Sequence, residues 1–341
     1  MYWNILLYPF LFVSPATDPV SETLVRVEKV EAHMGTRFQI TAYASSMQSG
    51  EIAIQKAFSR ISKLNGILSD YIPDSELMRL CAQSGKGPVS VGPELFFILN
   101  RSQDLARNSD GAFDPTVGPY SVLWRRARKS KLLPSETDLA DAKAKVGYQK
   151  MTLDPSQRTV ALSQPGMRLD LGGIAKGYAA DEALAVLKSS GINRALVAAG
   201  GDVVCGDAPP GKKGWDIALI PLPGDEGGKR HFVLANGAVS TSGDLEQFVE
   251  LGGKRFAHIL DPKTGLGMTT RQSASVVANR GIESDALTKI LLLLPLEKSR
   301  EILQSVPGAS GRLVSPRDAE FPSRGAVIQT LGNFPKLERI P

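Results

Sequence analysis

The residues whose types and spacing carry the most chemistry form one run, Asp170-Leu171-Gly172-Gly173-Ile174-Ala175-Lys176-Gly177. A short apolar segment ends in a carboxylate, two glycines follow, and a lysine stands one turn into a helical pattern. Glycine has no Cβ, so backbone N–H and C=O groups there can approach a ligand closely. A helix N-terminus with free N–H groups attracts anions, phosphate first among them. Lys176 adds a mobile positive charge. The chemistry these residues spell is a cradle for a phosphorylated ligand. Taken alone, a strand-to-helix turn in which glycine relieves sterics is the plainer reading, because no Walker or Rossmann pattern is complete.

Other loops add to the cradle what phosphoryl transfer needs. Asp170 and Asp285 are carboxylates that could hold a metal, and His258 stands alone at a predicted strand end. Phosphoryl transfer depends on charge neutralisation and positioning more than on covalent chemistry, and a divalent cation is its usual agent. A sparse set of oxygen ligands suits magnesium, which keeps waters and takes few carboxylates.

The elements that must position these groups follow from periodicity. Phe38, Ile40 and Ala42 alternate with Arg37, Gln39 and Thr41, the pattern of a half-buried strand. Ile54, Ala57, Phe58, Ile61 and Leu64 recur at helical spacing up to Asn65-Gly66. Pro93 opens a helix carrying Leu95, Ile98, Leu99 and Leu105. Ala175, Ala179, Ala183, Leu184 and Leu187 predict the helix after the cradle, with Gly191 as its stop. Small-residue strands are expected at residues 195–199 and 273–278, and a strand at 255–260 carries His258 between Phe256 and Leu260. On that pattern alone His258 reads as a core histidine. A helix with Ser284 as N-cap and Leu287, Ile290, Leu291 and Leu294 as its buried stripe comes next. Strands come in hairpin-like runs between helices, so the fold class is α+β, with antiparallel or mixed sheets and flanking helices.

The chain has 341 residues and a formal net charge of +5. That length supports a substantial core. The one basic cluster, Arg125, Arg126, Arg128, Lys129 and Lys131, has no interleaved aromatic residues and reads as a solvated helix face, not a nucleic-acid patch. Cys81 and Cys205 match no metal spacing; one disulfide and two buried thiols are both open. Residues 5–13 form an apolar run too short to span a bilayer, followed by Ser14-Pro15-Ala16. Residues 1–18 are read as an export signal cut near Ala16 or as a disordered start; export would place the protein in the periplasm or cell envelope.

Seven segments in order resemble the FAD:protein FMN transferases, the ApbE family. They are Met34-Gly35-Thr36, Asp74-Ser75-Glu76-Leu77, the run from Gly111 to Gly118, the run from Asp170 to Asp181, Thr241-Ser242-Gly243-Asp244, the run from His258 to Gly265, and Asp285-Ala286-Leu287. The resemblance spans nearly the whole chain after its start and implies one domain over residues 24–335. It implies an enzyme that splits FAD, attaches FMN through a phosphoester to a Thr or Ser hydroxyl of an acceptor protein, and releases AMP with Mg2+ as cofactor. By motif position, Met34, Tyr71, Ala112, Phe113, Asp114, Asp170, Lys176 and Ile259 line the FAD site. Gly173, through its carbonyl, and Asp285 hold the metal, and His258 is the base that takes the acceptor proton. The acceptors such a family serves are flavin-carrying subunits of membrane redox complexes. Four residues after the metal aspartate the family places Thr, Ser or Ala; here that position is Lys289, with Thr288 as the alternative ligand. Spacing of four sets Asp285 and Lys289 on one helix face, where they can pair. Two other outcomes stay open: water replacing the acceptor hydroxyl, which gives FMN and AMP, and FAD binding without turnover.

Overall fold

The computed structural model describes residues 23–219, 230–243, 248–318 and 325–339. The segment read as an export signal and Asp244 lie outside them. The N-terminal half runs β1 (Val25–His33), β2 (Thr36–Ala44), α1 (Met47–Leu68), α2 (Glu76–Cys81), β3 (Val89–Ser90), α3 (Pro93–Asn108), α4 (Gly118–Ser130), α5 (Glu136–Lys143), β4 (Met151–Asp154) and β5 (Thr159–Leu162). The C-terminal half runs α6 (Ala175–Ser189), β6 (Ala195–Ala199), β7 (Asp202–Cys205), β8 (Trp215–Leu219), β9 (Arg230–Leu234), β10 (Gly237–Gly243), β11 (Phe248–Leu251), β12 (Lys254–Ala257), β13 (Ser273–Ala278), α7 (Gly281–Leu293), α8 (Leu296–Ser305), β14 (Ser310–Pro316), β15 (Ala326–Leu331) and β16 (Glu338–Arg339).

An eight-stranded sheet in the order β1-β2-β6-β7-β10-β13-β14-β15 organises the chain, and every pairing in it is antiparallel. The expected α+β class is what the chain adopts. Alternation along the strands divides two cores, because successive side chains leave opposite faces. Phe38, Ile40 and Ala42 of β2 and Val197 of β6 point into the main core with α1, α6 and α7. Tyr43, Leu196, Val203 and Val239 point to the other face, where the small sheet β16-β9-β8 packs Trp215, Ile217 and Phe232 against them. Cys81 and Cys205 are both buried free thiols, so the disulfide does not form.

Two expectations are corrected. The strand expected to carry His258 ends at Ala257; the chain turns out, bridges Leu260 to Gly267, and leaves His258 exposed instead of in the core. The last expected helix begins at Gly281, three residues before Ser284, and Ser284 faces β10, its Oγ 2.8 Å from Ser240 Oγ.

Candidate functional site

Helices α6 and α7 cross at two glycines. A Cβ on Gly177 would lie 2.0 Å from the Gly281 carbonyl oxygen, and one on Gly281 would lie 2.5 Å from the Gly177 carbonyl oxygen, so only glycine lets the helices meet here. Neither helix has a side-chain cap from its own N-cap residue. Each is capped by the other. Asp285 of α7 accepts from the Gly177 N–H (3.1 Å), and Asp181 of α6 accepts from the Gly281 and Ile282 N–H groups (2.6 and 3.0 Å). The N–H groups that a helix start leaves without partners are thus met by carboxylates on a neighbouring element.

Beside the crossing, Lys176, Asp202 and Lys289 line the floor of a cleft of about 840 Å³. Two lysines and two aspartates meet there. Lys176 Nζ lies 3.0 Å from Asp202 Oδ2 and 3.2 Å from Asp285 Oδ2. Lys289 Nζ pairs with Asp285 Oδ1 and donates to the Asp285 carbonyl (3.0 Å). Burial works against every one of these charges. For Asp285 burial alone would raise the pKa, but Lys176 and Lys289 reverse it and bring it down to about 2. Burial and the neighbouring Asp285 push Asp202 upward, against Lys176. Burial lowers Lys176, and Asp202 and Asp285 outweigh it, so its ammonium is held above the ordinary lysine range.

The walls come from four loops. The β1–β2 connection is a two-residue turn, Met34-Gly35, with both residues at positive φ (48° and 72°). That is the turn twist a tight hairpin needs, and a methionine there is unusual enough to point to function; Met34 lines the cleft. Ala112 and Phe113 line it from the loop before α4, and a Cβ on Gly173 would meet Phe113 at 3.3 Å, so the glycine and the ring are in close register. Asp114 also borders the cleft, but its carboxylate is turned to its own loop. It accepts from Thr116 N–H (2.8 Å), Thr116 Oγ (2.6 Å) and Tyr148 N–H (2.9 Å), while burial pushes its pKa up. Asp170 closes a turn by accepting from the Gly172 N–H (2.8 Å) and takes a hydrogen bond from Ser121 (2.5 Å). It therefore fixes the glycine turn and does not cap α6. At the rim, the Arg125 guanidinium pairs with Asp70 and lies 3.7 Å from the centre of the exposed Tyr71 ring, a cation–π stack. His258 and the buried Ile259 border the opposite side.

Met34, Tyr71, Ala112, Phe113, Asp114, Asp170, Gly173, Lys176, His258, Ile259 and Lys289 all line this cleft. Asp285 and Thr288 are fully buried beneath it. Sequence reading missed Asp202, Arg125, Asp70 and Asp181. Asp202 follows Gly200-Gly201 and looks like an ordinary turn residue; Asp181 serves a helix start a hundred positions away, for which no local signature exists.

The residues expected to hold magnesium do not fit a divalent ion. Both carboxylate oxygens of Asp285 face ammonium groups. Thr288 Oγ is 2.8 Å from Ser242 Oγ and 2.7 Å from the Asp285 carbonyl, so it too is engaged. Among the described residues no three His, Cys, Asp or Glu side chains come together. At an effective dielectric constant of 20, two unit charges 4 Å apart interact by about 4 kcal/mol, and a dication beside an ammonium repels about twice as strongly.

The fold and floor together define an α+β protein whose cleft joins apolar walls to a helix N-terminus and two ammonium groups, which suits a dinucleotide with a planar ring system. The ApbE family model matches residues 34–311, and the chain belongs to that family. It is 30% identical to an FAD:protein FMN transferase of Treponema pallidum over 96% of this chain and 95% of that one. It is 29% identical to the FAD:protein FMN transferase of Escherichia coli over 85% and 84%. The fold is that of the flavin transferase ApbE of Vibrio cholerae (TM-score 0.79, 24% identity, 91% of this chain and 98% of that one). An ApbE protein of Thermotoga maritima superposes with a TM-score of 0.78 at 27% identity, over 90% and 97%.

Proposed function

We propose that the protein is an FAD:protein FMN transferase. The observation that carries the reading is convergence: segments spread from Met34 to Lys289 bring the expected flavin and phosphate contacts to one cleft, with His258 at its open edge. In the reaction, the hydroxyl oxygen of an acceptor Thr or Ser attacks the phosphorus of the FMN half. The bond from that phosphorus to the bridging oxygen breaks, and the bridging oxygen leaves with AMP. The hydroxyl proton passes to His258, an imidazole able to act as general base, which stands exposed where an acceptor loop can reach it.

The chain's own groups do the positioning. The first turn of α6 has no acidic residue, so its positive end faces the cleft, where the diphosphate would lie. Lys176 and Lys289 face the negative charge that an in-line displacement develops and help to neutralise it. Phe113, Met34 and Ile259 offer apolar surface, and the Arg125–Tyr71 pair at the rim offers a planar one. Magnesium, which the family resemblance implies, enters none of these steps.

We place the acceptor among exported proteins on the strength of residues 5–16, and among flavin-carrying subunits of redox complexes because the family resemblance implies it. No helix of the described residues is long and apolar enough to cross a membrane. The test is incubation of the pure protein with FAD and a threonine-bearing acceptor domain, read by intact-mass spectrometry. Covalent FMN on the acceptor is the expected result. Free FMN without adduct would replace transfer by hydrolysis, and unconsumed bound FAD would leave a binding protein.

A further inference from the structure

We propose that Lys289 is a built-in replacement for a divalent cation, so that FAD binding and FMN transfer by this protein need no metal. The inference rests on the reading of the cleft as an FAD site and goes beyond it. Lys289 sits one turn after Asp285 on α7, and its ammonium grips both the Asp285 side chain and the Asp285 carbonyl (3.0 Å). Its stem runs over the glycine turn: the place of a Gly173 Cβ is 3.5 Å from Lys289 Cε and 3.8 Å from Cδ. The lysine thus fills the space between the two groups expected to hold the metal. It is only 13% exposed, held on the floor instead of extending to solvent, yet it borders the cleft. A lysine has three N–H donors; Asp285 takes two, which leaves one for a phosphate oxygen.

The charge count supports the same conclusion. Asp202 and Asp285 against Lys176 and Lys289 sum to zero. Without Lys289 the floor would carry a net negative charge under an anionic ligand, the situation a metal corrects. With it the positive end of α6 acts on the diphosphate with no opposing net charge.

The experiment uses the full chain, calorimetry with FAD in EDTA and in magnesium, and electron paramagnetic resonance of added Mn2+. The wild type is expected to bind FAD equally in both buffers, to leave Mn2+ free, and to flavinylate an acceptor in EDTA. Lys289→Thr is expected to weaken FAD binding in EDTA about ten- to a hundredfold, the loss of one charge-assisted hydrogen bond, to bind Mn2+, and to recover affinity in magnesium. Lys289→Arg, which keeps the charge, is expected to stay blind to Mn2+ and supplies the answer if the threonine variant does not fold. Wild-type Mn2+ binding, or FAD binding that appears only with magnesium, would overturn the proposal. Absence of FAD binding in every buffer would instead overturn the reading of the cleft, while the Mn2+ measurement would still decide whether Lys289 excludes a metal.

Discussion

Two clusters in this molecule each join two cations to two carboxylates, and they are built for different ends. In the outer one Arg60 of α1 bridges Glu94 of α3 (2.9 Å) and Glu182 of α6 (2.6 Å), with Lys63 3.3 Å from Glu94. Its side chains keep 17–63% of their exposure. In the inner one Asp202 and Asp285 are 3% and 0% exposed beneath Lys176 and Lys289. Water shares the work in the first, so it tacks three helices together at little cost and little gain. The second takes two carboxylates fully out of water and two ammonium groups largely so, where packed apolar groups would serve stability as well. A cluster that stability does not require, placed under a helix N-terminus at the floor of a cleft, is the arrangement that suits an anion.

The sharpest way to break that contrast is to remove one carboxylate from each cluster. Asp285→Ala leaves two ammonium groups facing each other and strips the Gly177 N–H of its partner. The expected loss is about 3–5 kcal/mol of unfolding free energy, read from urea midpoints, together with FAD binding. Glu94→Gln keeps a hydrogen-bond acceptor for Arg60 and should cost about 1 kcal/mol at neutral pH. Equal losses would mean the inner cluster is only another tie between helices.

His258→Ala separates chemistry from floor. The side chain is exposed, so urea midpoint and FAD affinity should hold while transfer falls about 10²–10⁴-fold, the usual contribution of a general base. A parallel loss of FAD affinity would move His258 into the binding set. Gly177→Ala asks whether the crossing of α6 and α7 is as tight as drawn. With the new Cβ 2.0 Å from a backbone oxygen, the helices must part, and about 3 kcal/mol is expected, the upper end of overpacking costs. A neutral substitution would show that the crossing gives way freely and that Asp285 does not depend on it.

These same residues show what was legible beforehand. The β2 strand was readable because one face is buried and the other is not, and alternation records that directly. The cradle was readable because its glycines, lysine and helix are contiguous. The start of α7 was misplaced because its cap is Asp181 on another helix, whereas Ser284, which has the right type for a cap, is spent on Ser240. His258 alternates with Phe256 and Leu260 and so reads as a strand residue; periodicity cannot report that the chain leaves the ladder after Ala257. Asp202 was invisible because its role exists only once β7 is laid beside α6. Local pattern gave the elements, and the charges between elements had to be seen in three dimensions.

The smallest effect contrasts the clusters through pH. Chiefly through the hydrogen bond from Arg60, Glu94 is lowered from 4.5 to about 2, so its contribution is complete above pH 4.5 and is lost as pH falls through about 2. Asp285, at about 2 against 3.8 unfolded, is lost in an overlapping window. Asp181 runs the other way. Burial raises it from 3.8 to about 6, so folding favours its protonated form and stability declines as pH climbs from about 4 to 6. Wild-type stability should therefore peak between the two limbs, near pH 4–5. Glu94→Gln should flatten the acid limb by about 1 kcal/mol between pH 4.5 and 2, leaving the Asp285 part in place. Asp181→Asn should flatten only the limb above pH 4. Urea midpoints measured across pH 2.5 to 7 check both. If Glu94→Gln removed the whole acid limb, Asp285 would contribute nothing there, and the inner cluster would not be held as an ion pair at all.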